Sequence, residues 1–348
     1  MNCEQSILDQ VSEALAETRP LRIAGAGTKA FYTGRRDGEA LDVTEHRGVI
    51  DYDPGELILH CRAGTPLEEL RALLTENGQH LPFEPPAYGE AATIGGTVAC
   101  GLSGPRRPWS GSLRDYLLGA TLVNGHGHHL RFGGQVMKNV AGYDVSRLLA
   151  GSLGRLGVIL DVSFKVLPLP ASERTLAFAC DQDEAIRSIA DWSAQPLPLS
   201  GAAWTDGTLT VRLSGAESEV AAAERRLAPD KATDDVAFWA ELREHRLAFF
   251  SGDGPLWRLS VPAHVPALPL AGETFLDWGG AQRWYRGPEP AESLFEAAAR
   301  VGGHARRFRG DGDGPRAAPL PPALAELHER IHRAFDPAGL FSAPGEEQ

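Results

Sequence analysis

The chain has 348 residues, 43% of them hydrophobic and 23% charged, a composition that folds into one large domain or two ordinary ones and excludes a disordered chain. A net charge of -12, from 46 acidic against 34 basic residues, excludes a general nucleic-acid binder, whose phosphate contacts need a basic surface. The four cysteines form no CxxC or zinc-like spacing, so neither disulfide dependence nor an iron–sulfur site on this chain is expected, and a reducing compartment is.

The opening MNCEQSILDQ has neither the basic start nor the apolar run of an export signal, so export is not expected. Residues 4–16 carry helix spacing through Ile7, Val11 and Leu15, and Pro20 ends that segment. A strand at 21–24 runs at once into Gly25 and Gly27. Strands follow at 40–43, 49–52 and 57–61, then a helix at 66–77 whose apolar side holds Leu67, Leu70 and Leu74, with Gly78 as its C-cap. Residues 82–111, dense in proline and glycine with small apolar residues between, read as an ordered loop system.

Asn124-Gly125 between strands at 117–123 and 129–132 is a strong hairpin signal, because both residues tolerate positive φ. A short helix at 143–149 and a long apolar strand at 157–166 complete this region. The longest apolar stretch, LLAGSLGRLGVILDVSFKVLPLP, is broken by Arg155, Asp161 and Lys165, so no bilayer span is expected. After Pro170 the composition shifts, and strand 175–179, helix 182–194, strands 198–204 and 208–213 and helix 216–227 read as most of a split βαβ unit. Strands at 256–261, 274–278 and 304–308 and a helix at 291–299 extend this second α+β part. No tandem repeat or heptad pattern appears.

The string Leu21 to Ala30, LRIAGAGTKA, matches the dinucleotide fingerprint only superficially, because no helical face follows the glycines. That leaves a glycine turn with its N–H groups on a phosphate, or an ordinary tight turn. In ATIGGTVA the adjacent Gly95 and Gly96 let the main chain approach a pyrophosphate, and Thr93 and Thr97 can add hydroxyls; a buried glycine bend is the plainer reading. Between residues 102 and 170 the basic Arg106, Arg107, Arg114, Arg131, Lys138, Arg147, Arg155 and Lys165 outnumber Asp115, Asp144 and Asp161, which suits a bound anion or a basic interface with a partner. His126, His128 and His129 follow the hairpin turn and read as its decoration rather than as a metal cluster. The tryptophans of the second part, Trp192, Trp204, Trp239, Trp257, Trp278 and Trp284, read as packing anchors, with substrate contact or a subunit interface as alternatives.

Taken together and in order, ATIGGTVA, KNVAGYDVSRLLAGSLGRLGVI and FDPAGLFSAPG resemble the FAD-linked oxidase superfamily typified by vanillyl-alcohol oxidase and para-cresol methylhydroxylase, and within it the FAD-binding E subunits of bacterial glycolate oxidase. The resemblance implies an α+β fold: a two-part PCMH-type FAD-binding domain at 1–170, an α+β cap or partner-interaction domain at 171–330, and a C-terminal return to the FAD domain at 331–348. It implies that Ala24, Gly25, Ala26, Gly27, Thr28 and Lys29, with Thr93, Ile94, Gly95, Gly96 and Thr97, border the FAD diphosphate. It further implies that Gly101, Ser103 and Gly104 line the cofactor channel and that Gly154 and Ile159 contribute main-chain contacts. Lys138, Asn139 and Tyr143 would lie in a loop facing the flavin, with a solvent-side salt bridge as the alternative for Lys138.

No histidine falls in the early glycine loops to mark a covalent attachment, so noncovalent FAD is expected. The family reaction is oxidation of glycolate to glyoxylate. Catalytic relatives carry an HxGDGN motif, but the nearest strings here are SGDGP at 251–255 and RGDGDG at 309–314, and Ser342 and Glu346 also depart from the family's terminal pattern. The expected role is therefore an accessory or electron-relaying subunit beside a catalytic flavoprotein subunit and an iron–sulfur subunit, in the cytoplasm or at the inner face of the membrane through partners. A self-sufficient FAD-dependent 2-hydroxy-acid or alcohol dehydrogenase and a structural subunit without flavin are the alternatives, and the catalytic residues stay unassigned.

Overall fold

Helix Glu4–Ala16 buries Ile7 and Val11 as its apolar spacing predicts, with Ala14 buried beside them and Leu15 only partly buried against the same core. The computed structural model describes residues 1–33, 37–134, 144–312 and 314–341, and the chain divides into two units. Of the described residues, the first contains those within 1–103, 111–169 and 320–341; the second contains Gly104–Ser110 and those within 170–319.

In the first unit, β1 (Leu21–Ala24) and β2 (Glu39–Asp42) pair in parallel. Strands β3 (Val49–Asp53), β4 (Ile58–Arg62), β6 (Leu117–Val123), β7 (His129–Gly133) and β8 (Val158–Lys165) form an antiparallel sheet in the order β3-β4-β8-β6-β7; β5 (Gln79–His80) pairs with β9 (Leu167–Pro168). One core joins Leu59, Cys61, Val162 and Phe164 of this sheet to Leu67, Leu70 and Leu74 of helix Leu67–Glu76. A second gathers helix Glu4–Ala16, Leu21, Leu41 and the C-terminal Leu340 and Phe341.

The Asn124-Gly125 hairpin forms as expected, with Asn124 Oδ1 accepting from the N–H groups of His126 and His128 at 3.1 and 2.9 Å. His126 and His128 are exposed and stack on each other, and His129 lies 3.1 Å from Glu4. The 143–149 segment forms only a 3-10 turn, Ser146–Leu149, within its described residues. All four cysteines are free thiols.

Behind the sheet, His60 Nε2 lies 2.8 Å from Asp161 Oδ1, which also accepts from Thr121 Oγ1 at 3.1 Å. Burial of Asp161 opposes its ionisation, but the His60 and Thr121 hydrogen bonds outweigh that and hold the carboxyl below its ordinary value of 3.8. A depressed folded value stabilises fully above 3.8 and is lost as pH falls through the lower folded value. Asp161→Asn should therefore flatten the acid slope of stability, measured as urea midpoints between about pH 2 and pH 5.

The second unit is built on one antiparallel sheet of eight strands: β10 (Ser172–Ala179), β11 (Leu199–Thr205), β12 (Thr208–Gly215), β13 (Lys231–Thr233), β14 (Leu256–Ser260), β15 (Glu273–Asp277), β16 (Gln282–Arg286) and β17 (His304–Arg309), in the order β13-β10-β12-β11-β15-β16-β14-β17. Helices Gln182–Ser193 and Glu217–Leu227 cover Leu176, Ala202, Leu209 and Val211, and helix Ala291–Arg300 covers Trp257, Leu259 and Tyr285. The tryptophans act as anchors here: Trp239, Trp257 and Trp284 are buried, and Trp204 and Trp239 donate their indole N–H groups to the Cys180 carbonyl and Thr175 Oγ1.

The unit boundaries differ from the sequence expectation in two places. Gly104–Ser110 groups with the second unit because Arg106 pairs with Glu173 at 2.5 Å and Trp278 donates its indole N–H to the Gly104 carbonyl at 3.0 Å. The chain rejoins the first unit at Leu320, ahead of helix Pro322–Phe335, whose Ile331 and Phe335 pack on the first core.

Candidate functional site

Two glycine loops of the first unit meet at a cavity of about 200 Å³. The first loop continues from β1, where Pro20 and the β1–β2 pairing fix the chain direction. Ala24, Gly25, Ala26, Gly27, Thr28 and Lys29 all line the cavity. Gly27 has φ +72, a conformation that glycine adopts without the Cβ penalty. The N–H groups of Gly25, Ala26, Gly27 and Thr28 donate to no protein acceptor among the described residues, which leaves four successive donors for a ligand. Arg22 and Lys29 also line the wall, and no described lining residue is acidic. Lys29 is buried, with Nζ 3.3 Å from the Ala87 carbonyl.

The second loop is the start of helix Ile94–Cys100, inside the segment whose proline and glycine density predicts an ordered loop system. Thr93 is its N-cap, accepting from the Gly96 N–H at 3.2 Å, and Gly101 ends it in the left-handed conformation at φ +63. This short helix explains which predicted residues reach the cavity. Thr93, Gly95, Gly96, Ala99 and Cys100 line it, while Ile94 and Val98 point into the core. Thr97 is buried and donates its hydroxyl to the Thr93 carbonyl at 2.9 Å.

Close approach accounts for the glycines. A Cβ on Gly25 would sit 2.8 Å from Thr93 Oγ1, and one on Gly95 would sit 2.7 Å from the Ala63 Cβ and 2.9 Å from its carbonyl oxygen. The third wall is the 151–154 turn, clamped to the end of the helix by bonds from Gly151 N–H to the Val98 carbonyl and from Leu153 N–H to the Ala99 carbonyl. Leu153 has φ +56, and it lines the cavity with Gly154, Gly157 and Ile159.

Several predicted residues lie elsewhere. Ile94 and Thr97 face inward, as described. Gly101 packs against the Gly151 backbone, where a Cβ would meet nitrogen at 2.7 Å; Ser103 Oγ accepts from the Leu113 N–H at 3.1 Å; and Gly104 belongs to the second unit. None of these lines the cavity. Lys138, Asn139 and Tyr143 lie outside the described residues, as do Ser342 and Glu346. The residues expected from sequence leave out Arg22, Ala63, Cys100, Leu153 and Gly157; Arg22, Leu153 and Gly157 stand inside the glycine-rich strings and Cys100 beside Gly101, while nothing in the sequence around Ala63 points to the cavity.

The cavity suits an anionic, extended ligand: free N–H donors, two cations and glycine-enforced access of backbone to ligand. Its volume falls below that of pockets that enclose a whole drug-sized ligand, so it fits a segment of a dinucleotide. Residues 2–133 match the family of FAD-binding domains. Glycolate oxidase subunit GlcE of Escherichia coli (strain K12) is 48% identical over 341 residues, covering 98% of this chain and 96% of that protein. The chain belongs to the GlcE family of glycolate oxidase subunits, and it carries an FAD-binding domain. Glycolate oxidase subunit GlcD of Bacillus subtilis (strain 168) is 30% identical over 144 residues, which cover 41% of this chain and 30% of that one. Among solved structures, alkyldihydroxyacetonephosphate synthase matches with a TM-score of 0.70 at 14% identity, covering 98% of this chain and 76% of that one, which shows that the two share a fold. No helix among the described residues is long and apolar enough to cross a membrane.

Proposed function

We propose that this chain is the FAD-bearing subunit of a multisubunit glycolate oxidase that converts glycolate to glyoxylate, and that it serves as an accessory or electron-relaying subunit. The observation that carries the reading is the near full-length likeness to GlcE combined with a cavity whose loops present unpaired N–H donors to an anion. The N–H groups from Gly25 to Thr28 would hold the FAD diphosphate, with Arg22 and Lys29 balancing its charge. Gly95 and Gly96 would let the backbone approach it, and Gly154 and Ile159 would bound the cofactor further along the wall. Held noncovalently, flavin supplies two-electron acceptor chemistry and single-electron release.

The other subunits in this reading are a catalytic flavoprotein chain and an iron–sulfur chain, with any membrane attachment made through them. Support for the accessory role is the lack of an HxGDGN motif at 251–255 and 309–314. Reconstitution tests it: glycolate-dependent dye reduction by the complex should fall to background when this chain is omitted. Full activity without it would refute the obligatory role. Acid precipitation should release the flavin into the supernatant, whereas flavin that stays in the pellet would contradict noncovalent binding.

A further inference from the structure

We propose that Arg22 is the residue that makes the cavity select a diphosphate over a single phosphate group, its guanidinium taking the charge of the phosphate that the Gly25–Thr28 N–H donors do not hold. The proposal deepens the FAD reading of this cavity and rests on it for the ligand class alone.

The first observation is the side of β1 on which Arg22 stands. Successive residues of a strand take opposite faces. Leu21 and Ile23 pack into the second core of the first unit, whereas Arg22 and Ala24 line the cavity. The strand is held along its length by the parallel pairing with β2, and at its start by the bond from the Leu21 N–H to the Leu340 carbonyl. Arg22 stands three residues ahead of Gly25, about 10 Å at the rise of a strand. The guanidinium and the loop donors therefore serve successive groups of an extended ligand.

The second observation is that no protein group neutralises this cation. The Arg22 side chain makes no hydrogen bond or ion pair among the described residues, and no described residue of the cavity wall is acidic. Register sets Arg22 opposite Ala40, and the carboxylates on either side of Ala40 in β2 are engaged elsewhere. Glu39 pairs with Arg19, and Asp42 accepts from the Thr44 N–H at 2.8 Å. Arg22 is partly withdrawn from water, where a cation without a counter-ion is unfavourable, so its placement needs a reason outside folding.

Lys29, at the other end of the loop, differs in both respects. It is buried, and its Nζ lies 3.3 Å from the Ala87 carbonyl, which ties it to the neighbouring loop. Its ammonium is a point charge, whereas a guanidinium offers paired N–H donors that match two oxygens of one phosphate. Lys29 with the loop donors suffices for one phosphate, and the second is read by Arg22.

Calorimetric titration of the full chain, freed of flavin by dialysis against bromide, with ADP and with AMP tests this without flavin reduction or partner subunits. The parent should bind ADP about tenfold more tightly than AMP, the gain expected of one charge-assisted hydrogen-bonding group. Arg22→Gln should remove that advantage by weakening ADP about tenfold and leaving AMP unchanged, and Arg22→Lys should recover part of it through its charge. The exposed Arg300→Gln should change neither affinity. Without ligand, Arg22→Gln should keep the urea midpoint of the parent, and a lower midpoint would make Arg22 a structural residue and overturn the proposal. Unchanged ADP affinity in Arg22→Gln, or equal weakening of ADP and AMP, also overturns the role of Arg22 while the FAD reading stands. A parent chain that binds neither nucleotide overturns the assignment of the cavity to the FAD diphosphate, and the proposal with it.

Discussion

Gly95→Ala should purify with little flavin. The added Cβ meets Ala63 at 2.7 Å on Cβ and 2.9 Å on the carbonyl oxygen, closer than real contacts allow. Ala63 cannot retreat, because its N–H donates to the Leu160 carbonyl at 2.8 Å and its own carbonyl accepts from the Gly95 N–H at 2.8 Å. The helix Ile94–Cys100 must therefore shift and carry Thr93 and Gly96 out of the cavity wall. Overpacking of this kind costs about 1–3 kcal/mol, which corresponds to about fivefold to about 150-fold weaker retention where the strain falls on the loaded form. Flavin absorbance per protein after desalting reads this directly. Gly78→Ala is the control: it places an alanine in a left-handed conformation, at φ +65, but in open space behind helix Leu67–Glu76, so it should cost about 1 kcal/mol of stability and leave flavin content unchanged. Equal flavin loss in both variants would contradict the close-approach argument.

Asp336→Ala should produce the largest loss of stability, about 3 kcal/mol. The carboxylate is fully buried and accepts from the N–H groups of Leu340 and Phe341, each at 2.8 Å. Removing it leaves two buried donors unsatisfied, at about 1–3 kcal/mol each before relaxation. The turn it holds is locked on both sides: the Gly125 N–H donates to the Phe335 carbonyl, and a Cβ on Gly125 would meet Asp336 Oδ1 at 2.2 Å. The consequence reaches the cavity, since the Leu340 carbonyl accepts from the Leu21 N–H at the start of β1, which leads into the Gly25–Thr28 loop. Urea unfolding should show a lower midpoint, and Asp336→Asn should recover part of it through its one remaining carbonyl oxygen. A midpoint unchanged from the parent would show that the tail does not brace β1.

This role for Asp336 shows where sequence stops short. FDPAGLF is readable as a family string, but its work, capping its own turn against the Asn124-Gly125 hairpin, depends on the bond from the Gly125 N–H to the Phe335 carbonyl, across more than 200 residues. Local order was legible where period and punctuation agreed: helix Leu67–Glu76 with Gly78 after it, and the hairpin with its two-residue signal. Helix Ile94–Cys100 was not, because two adjacent glycines and β-branched residues give it low propensity; it forms through the Thr93 cap, burial of Ile94 and Val98, and the left-handed Gly101. Ile94 and Thr97 were therefore grouped with the cavity residues, although a helix turns them away. Strand Gln282–Arg286 was missed for the opposite reason. Its polar residues look exposed, yet Arg283 is 1% exposed and donates to the carbonyls of Gly280, Pro266 and Val265. A buried arginine satisfied by carbonyls leaves no signature in composition.

The proposal that this flavin-bearing chain does not oxidise glycolate by itself is tested most directly by an anaerobic visible spectrum of the purified chain before and after glycolate addition. A flavin band that persists after glycolate is the expected result. A band that bleaches with no partner present, or a preparation that holds no flavin, would contradict it.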